Sequence, residues 1–308
     1  MSSSYEKINY ALRPAKNIER KMLAEAFRRL SVFYPIEQYR YVGLGSTFFS
    51  DFSLFHRVLG IESMISIEED RNKKDRFVFN RPYSCIEIYF GMSSAVLPDI
   101  SWEAPTILWM DYDSKPKEEM FIALAHFFRH AVHGSVSVFS INVHGLILED
   151  LKAALGDERI PASIVPTQLN DWGGAKLLRD ILTNEIADRL NERNGTLAAQ
   201  ERLVFKQLFN FHYQDGARML TFGGVVCQPG KIELVERCLF GSLPFVREGD
   251  EAYEIEVPVL TLGEIRGLDA ELPGGDLTKF AALGIPQEDL EKYKRIYRYF
   301  PRFSEAEI

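Results

Sequence analysis

"YVGLGSTFFSDF", residues 41–52, is the stretch on which the fold turns. Gly43 and Gly45 stand one residue apart at the end of the apolar run "YRYVGLG". Phe48, Phe52, Phe55 and Leu59 then recur at helical spacing, and Gly60 ends the pattern. A buried strand, a glycine turn and a helix is the order in which a backbone comes close to a ligand at a helix amino end. Two common ligands are disfavoured. The position of the third glycine of GxGxxG is Phe48, and nothing matches GxxxxGK[ST].

Working outward, "SMISIEED" reads as a second strand, "SCIEIYFG" as a third, "TILWMDYD" as a fourth and "SVSVFSINVHG" as a fifth. A helix is expected from about Lys117 to Val132, and an earlier one over "NIERKMLAEAFRRLS" with Asn17 as its cap. Strands alternating with helices imply crossover units and a parallel sheet covered on both faces. Residues 146–215 read as largely helical, with Leu177, Leu178, Ile181, Leu182, Ile186 and Leu190 on one stripe. "RMLTFGGVVCQ" and "AYEIEVPVLTL" follow as two more strands. The expectation is one α/β domain over residues 1–308 with a doubly wound, mostly parallel seven-stranded sheet, an antiparallel last pair and a helical cap insertion. Its parts are an N-terminal helical segment (1–37), a cofactor-binding half (38–145), the cap (146–215), and the last strands with a C-terminal helix (216–308).

The chain has 308 residues, 46% of them hydrophobic, and a net charge of −8. That acidic balance argues against a generic nucleic-acid coat. Basic residues are nevertheless concentrated from Lys7 to Arg40 and in "LEKYKRIYRYFPRF". No window is long and apolar enough for a membrane span, and "MSSSYEKINY" lacks the regions of a signal peptide. Cys85, Cys227 and Cys238 have no CxxC spacing. They read as packed thiols in a reducing cytoplasm rather than a disulfide framework or structural zinc site.

Glu68 falls at the end of the second strand, 23 residues after Gly45. A carboxylate there can accept hydrogen bonds from ribose hydroxyls, with Glu69 as the fallback. The glycines and this acid together favour a ribose-bearing ligand.

At this point the chain resembles the class I methyltransferases that use S-adenosyl-L-methionine. "YVGLGS" resembles their first motif, "ISIEED" their second, "YFGMSS" the segment near adenine, and "LWMDYD" the acidic motif after the fourth strand. The resemblance covers about residues 38–262 and includes the order of five alternating strands and an antiparallel pair. The chain also looks like uncharacterised bacterial proteins described as O-methyltransferases. The resemblance implies that Gly43, Gly45 and Ser46 face the methionine part of the cofactor. It implies Glu68 on the ribose, Gly91 and Met92 near adenine, and Asp111 bordering cofactor and acceptor. The chain departs from the family in lacking an acid in "FGMSS", which leaves backbone groups or Ser93 for the adenine. It also has Thr47 and Phe48 in place of a third small residue.

Methyl transfer from a sulfonium needs alignment and a group to take the acceptor's proton. Asp111 and Asp113 after the fourth strand and Asn142 and His144 after the fifth are placed to converge. Three readings stay open: Asp111 or His144 as general base, Asp111, Asp113 and Asn142 on Mg²⁺, or polar groups that only cap loops. The absence of [DNS]PP[YFW] weakens methylation of a DNA base amine, so an oxygen acceptor is favoured, small molecule or nucleic acid. His126, His130 and His133 share a helix face without HExxH, and read as surface residues. His133 is expected in the last helical turn. "NDWGGAK" suits a lid over the active site as well as it suits a structural extension or a homo-oligomer face. Arg13, Lys16 and Arg20 are candidates for a cofactor carboxylate or an anionic substrate. A non-catalytic adenosyl- or nucleotide-binding module acting through a protein partner is the alternative to an enzyme. A nicotinamide-dependent reductase is disfavoured by Phe48.

Overall fold

A computed structural model describes residues 13–302, so the reading of "MSSSYEKINY" lies outside the described residues. Among the described residues eight strands form one sheet: β1 (Arg40–Leu44), β2 (Ser63–Glu68), β3 (Ile86–Phe90), β4 (Thr106–Asp111), β5 (Val136–Asn142), β6 (Val204–Asp215), β7 (Ala217–Cys227) and β8 (Tyr253–Ile255). Their order is β3-β2-β1-β4-β5-β7-β6-β8. β1 to β5 are mutually parallel. β7 runs antiparallel to both β5 and β6. The chain moves outward from β1 to β2 and β3, then crosses to β4 on the other side of β1. This is a topological switch point, and ligands bind beyond the carboxyl ends of such strands.

Helices α1 (Pro14–Arg28), α2 (Ser50–Leu59), α3 (Lys74–Asn80), α4 (Ser93–Val96), α5 (Glu118–His130), α6 (Leu148–Leu155) and α7 (Gly173–Asn194) accompany the sheet. Four more follow β7: α8 (Glu233–Arg237), α9 (Leu262–Glu271), α10 (Thr278–Ala281) and α11 (Gln287–Ile296). One face of the sheet is packed by α1 and α2, with Phe27, Phe52, Phe55, Trp109, Phe209 and Phe211 in a common core. The other is packed by α5 and α7, with Phe127, Phe128, Leu178, Ile181, Leu220 and Phe222. α9 to α11 close a small cluster of their own around Leu268, Phe280 and Tyr293.

The expected sheet needs correction at its end. Residues 204–215 form the longest strand, where a helical segment was expected, and the sheet has eight strands, not seven. The antiparallel pair is the β6–β7 hairpin. The run "AYEIEVPVLTL" contributes only Tyr253–Ile255, paired parallel to β6. α7 carries the expected apolar stripe, but it lies against α5 and the sheet. The glycine pair that opens it serves close packing. A Cβ on Gly173 would stand 1.8 Å from the Gln168 carbonyl oxygen, and one on Gly174 2.9 Å from Leu146 Cδ1. Trp172 is stacked on His212, with ring centroids 4.6 Å apart.

α1 begins three residues before the expected start, with Pro14 in its first turn, where a missing N–H costs nothing. Asn17 is therefore not its cap. The Asp215 carboxylate, from the β6–β7 turn, accepts from the Ala15 and Lys16 amides at 3.3 and 2.9 Å. This remote cap fixes the amino end of α1 over the carboxyl edge of the sheet.

Candidate active site

A cavity of about 1030 Å³ opens beyond the carboxyl ends of β1, β2, β4 and β5. That volume is at the top of the range of roughly 300–1,000 Å³ found for small-molecule sites. Its floor is the glycine turn. A Cβ on Gly45 would lie 1.9 Å from Glu68 Oε1 and 2.0 Å from Ser66 Oγ. Only glycine leaves this carboxylate and hydroxyl in place, so the turn and the acid are one unit. Gly43 answers to a different neighbour, since a Cβ there would meet Tyr41 Oη at 2.7 Å. The Tyr41 hydroxyl donates to Asp51 at the start of α2.

Glu68 is buried and its Oε1 accepts from Ser66 Oγ at 2.9 Å. Burial pushes its carboxyl up to about 8, against the Ser66 hydrogen bond and with help from the Asp51 charge. Its carbonyl oxygen accepts from the Gly91 amide at 2.9 Å, tying the ends of β2 and β3 together. Gly91, Met92 and Ser93 line the same cavity. Ser93 is buried, and its amide and hydroxyl donate to Glu119 Oε1 at 3.0 and 2.9 Å. Its hydroxyl also meets the Tyr112 hydroxyl at 3.0 Å. Glu119, at the amino end of α5, thus places an acid beside "FGMSS", which carries none of its own. Sequence spacing alone gave no signal for it, because 26 residues separate the partners.

The far wall is built by α1. Lys16 Nζ lies 2.6 Å from Asp111 Oδ1 and 2.7 Å from Glu19 Oε2, and donates to Tyr213 Oη at 3.0 Å. It also sits 4.6 Å from the centre of the Trp109 ring, within cation–π range. Glu19 is fully buried and accepts from Thr221 Oγ1. Burial pushes its carboxyl up, and the Lys16 charge opposes this. The buried ammonium therefore bridges two acids, one inside the core and one on the cavity wall.

The sequence-derived residues divide. Gly45, Ser46, Glu68, Gly91, Met92, Ser93, Asp111, Asp113 and Asn142 all line the cavity. Gly43 supports it from within β1. His144 does not line it: it lies on an exposed turn, where its amide donates to Asn142 Oδ1 at 2.9 Å. The Asn142 side-chain amide in turn donates to the Asp113 carbonyl oxygen at 3.2 Å. Among the described residues no group of three or more His, Cys, Asp or Glu side chains could hold a metal. At Asp111 the Lys16 ammonium sits where a cation would be expected. No residue of 146–203 lines the cavity; α1 and the β6–β7 hairpin cover it instead. The histidine reading is corrected in one detail, because α5 ends at His130 and His133 lies beyond it. His133 Nδ1 accepts from the Gln228 amide at 3.1 Å, and burial with the nearby Lys231 charge pulls its ring down to about 4.

The cavity suits an adenosyl cofactor on its own geometry: a glycine floor that a Cβ would fill, and a buried carboxyl beside it. The doubly wound sheet and the cavity at its switch point agree with the family to which the sequence assigns the chain. The chain belongs to the family described as "Putative O-methyltransferase", whose profile matches residues 8–308. A search of curated proteins finds no match. Among solved structures, the chain is similar to Trm1 from Pyrococcus horikoshii in complex with S-adenosyl-L-methionine. The identity is 9% and the TM-score 0.46, over 72% of this chain and 57% of that one. An O-methyltransferase family protein from Burkholderia thailandensis matches at 10% identity and TM-score 0.36, over 68% and 56%. CalS10, an amino pentose methyltransferase from Micromonospora echinaspora with S-adenosylmethionine bound, matches at 13% and 0.33, over 47% and 55%. The chain thus spans little more than half the length of these three proteins.

Proposed function

We propose that the protein transfers a methyl group from S-adenosyl-L-methionine to an oxygen of a small-molecule acceptor, with Asp111 as general base. The observation that carries this reading is the joined Gly45–Glu68 cradle, in which a Cβ would come within 1.9 Å of the carboxylate. Gly43, Gly45 and Ser46 shape the wall for the methionine part. Glu68 takes the ribose hydroxyls. Gly91, Met92 and Ser93 border the adenine, with Glu119 holding Ser93 in place. When bound, the cofactor supplies a methyl group on a sulfonium, so the protein need only align an acceptor and receive its proton.

Asp111 is suited to that task. Among the described residues it accepts one hydrogen bond, at Oδ1 from Lys16, which fixes the carboxylate and leaves its second oxygen for the acceptor hydroxyl. Asp113 lines the same end of the cavity and helps to position the acceptor. The Lys16 contact favours this base reading over a Mg²⁺ site at Asp111. The cavity walls carry seven acidic and five basic side chains, which suits a small molecule better than a polyphosphate backbone. The free cysteines Cys85, Cys227 and Cys238 fit a cytoplasmic setting.

The test uses cofactor labelled in the methyl group and a metabolite extract as acceptor source. Label should pass to an extractable product with the wild type, and Asp111→Asn should lose transfer while still binding S-adenosylhomocysteine. Transfer by Asp111→Asn at the wild-type rate would overturn the base assignment.

A further inference from the structure

A second cavity, of about 390 Å³, lies on the other side of α1, between α1, α2 and Pro301–Arg302. Its charged lining is Arg20, Lys21, Arg57 and Arg302, with no acidic side chain among the described residues. The contrast with the acid-rich main cavity is sharp, although the two share Arg20 and Ser50 as a common wall. Helix geometry explains the sharing. Arg13, Lys16 and Arg20 face the main cavity at i, i+3 and i+7, and Asn17, Arg20 and Lys21 face the second at i, i+3 and i+4. Arg20 belongs to both stripes.

Three of the four cations have hydrogen-bond partners, and the fourth, Arg20, has the buried Asp51 carboxyl as a charged neighbour. Lys21 Nζ donates to the carbonyl oxygens of Tyr299 and Phe300 at 3.0 and 3.3 Å, and Arg302 pairs with Asp269 at 2.7 Å. Burial and the neighbouring Arg302 charge pull Lys21 below its ordinary value. Among the described residues Arg57 makes one hydrogen bond, from Nε to the Ser53 carbonyl oxygen at 3.2 Å. Arg20 is only 6% exposed, yet among the described residues its Nη1 has no hydrogen-bond partner. A buried guanidinium nitrogen left unpaired keeps an uncompensated desolvation cost, which an anion would relieve. A planar fork of donors is the group that recognises a carboxylate or phosphate.

We propose that the second cavity binds a compact anion, the phosphate or carboxylate of the methyl acceptor, through Arg20 and Arg57. The role as acceptor anchor rests on the methyltransferase reading; the anion site itself does not. Arg20 is one helical turn from Lys16, which holds Asp111. An acceptor whose anion is held by Arg20, in the wall that the two cavities share, can extend into the main cavity toward Asp111.

Isothermal titration of inorganic phosphate and of acetate, with chloride as the ionic-strength control, tests this on protein preloaded with S-adenosylhomocysteine. Saturable binding of either anion is expected. It should weaken at least fivefold in Arg57→Gln, whose side chain is exposed and whose loss does not threaten the fold, and at least tenfold in Arg20→Gln. Preference for phosphate or for acetate identifies the acceptor group. Binding no stronger than that of chloride would overturn the proposal, as would binding unchanged in Arg57→Gln and Arg20→Gln. Uptake of S-adenosylhomocysteine, measured in the same samples, reports on the cofactor site separately. Loss of the anion site with retained cofactor binding sinks only this proposal.

Discussion

Glu68→Gln should make the cofactor-free protein more stable as the pH rises, while it impairs the site. In the folded chain burial holds the Glu68 carboxyl up to about 8, against an ordinary value of 4.5. Between these values the folded state keeps a proton that the unfolded chain has released, so wild-type stability falls as pH increases. The interval is about 3.5 pH units, and at about 1.4 kcal/mol per unit the full loss is about 5 kcal/mol. That is a large part of a typical folding free energy of roughly 5–15 kcal/mol. Glutamine has nearly the same shape and no charge to bury. Denaturant unfolding of both proteins at pH 5, 7 and 9 is the assay. The stability of the variant relative to wild type should grow steadily across that series, by several kcal/mol in all. A difference that stays constant within about 0.5 kcal/mol would mean that Glu68 is not a desolvated acid, and the reasoning about the cradle would fail with it.

Other residues give equally direct expectations. Gly45→Ala should fold, since its clashes are with Glu68 and Ser66 side chains, but weaken cofactor affinity more than a hundredfold by calorimetry. Lys16→Met removes the ammonium between Glu19 and Asp111 and should lower stability by about 3–5 kcal/mol in chemical denaturation, because a buried carboxyl is left without its partner. Asp111→Asn should reduce the methyl-transfer rate by about 10²–10⁴, whereas His144→Ala, on an exposed turn, should change it less than twofold in the same assay.

The parallel half of the fold was legible because β2 and β4 end in acids, glycines follow β1 and β3, and the helices after β1 and β4 carry clear apolar stripes. β6 was not. From Leu208 to Tyr213 its residues are buried without interruption, because α7 and α1 cover opposite faces of the sheet there. The alternation that marks a half-exposed strand is therefore absent, and a bulge between Gln207 and Phe209 shifts the register further. The strand drawn over "AYEIEVPVLTL" is short because Pro258 and the exposed Val259 end the pairing after Ile255. In the site, Gly45 and Glu68 could be read from spacing, since both are fixed by the strand–turn–helix unit. Lys16 could be read as a candidate contact for an anion but not as the partner of Asp111, and Glu19 could not be read as a site residue at all. Their positions on α1 look like a solvated face, and only the seating of that helix over β4, capped from Asp215, turns them inward. Glu119 is hidden for the same reason, since it meets Ser93 through tertiary packing alone.

The most direct test of the central claim is calorimetric titration of S-adenosylhomocysteine into the wild type, Glu68→Ala and Gly45→Ala at pH 8. The cradle requires micromolar binding by the wild type and loss of at least a hundredfold in both variants. Wild-type affinity weaker than millimolar, or equal affinity in all three proteins, would show that the glycine turn and Glu68 do not hold the cofactor.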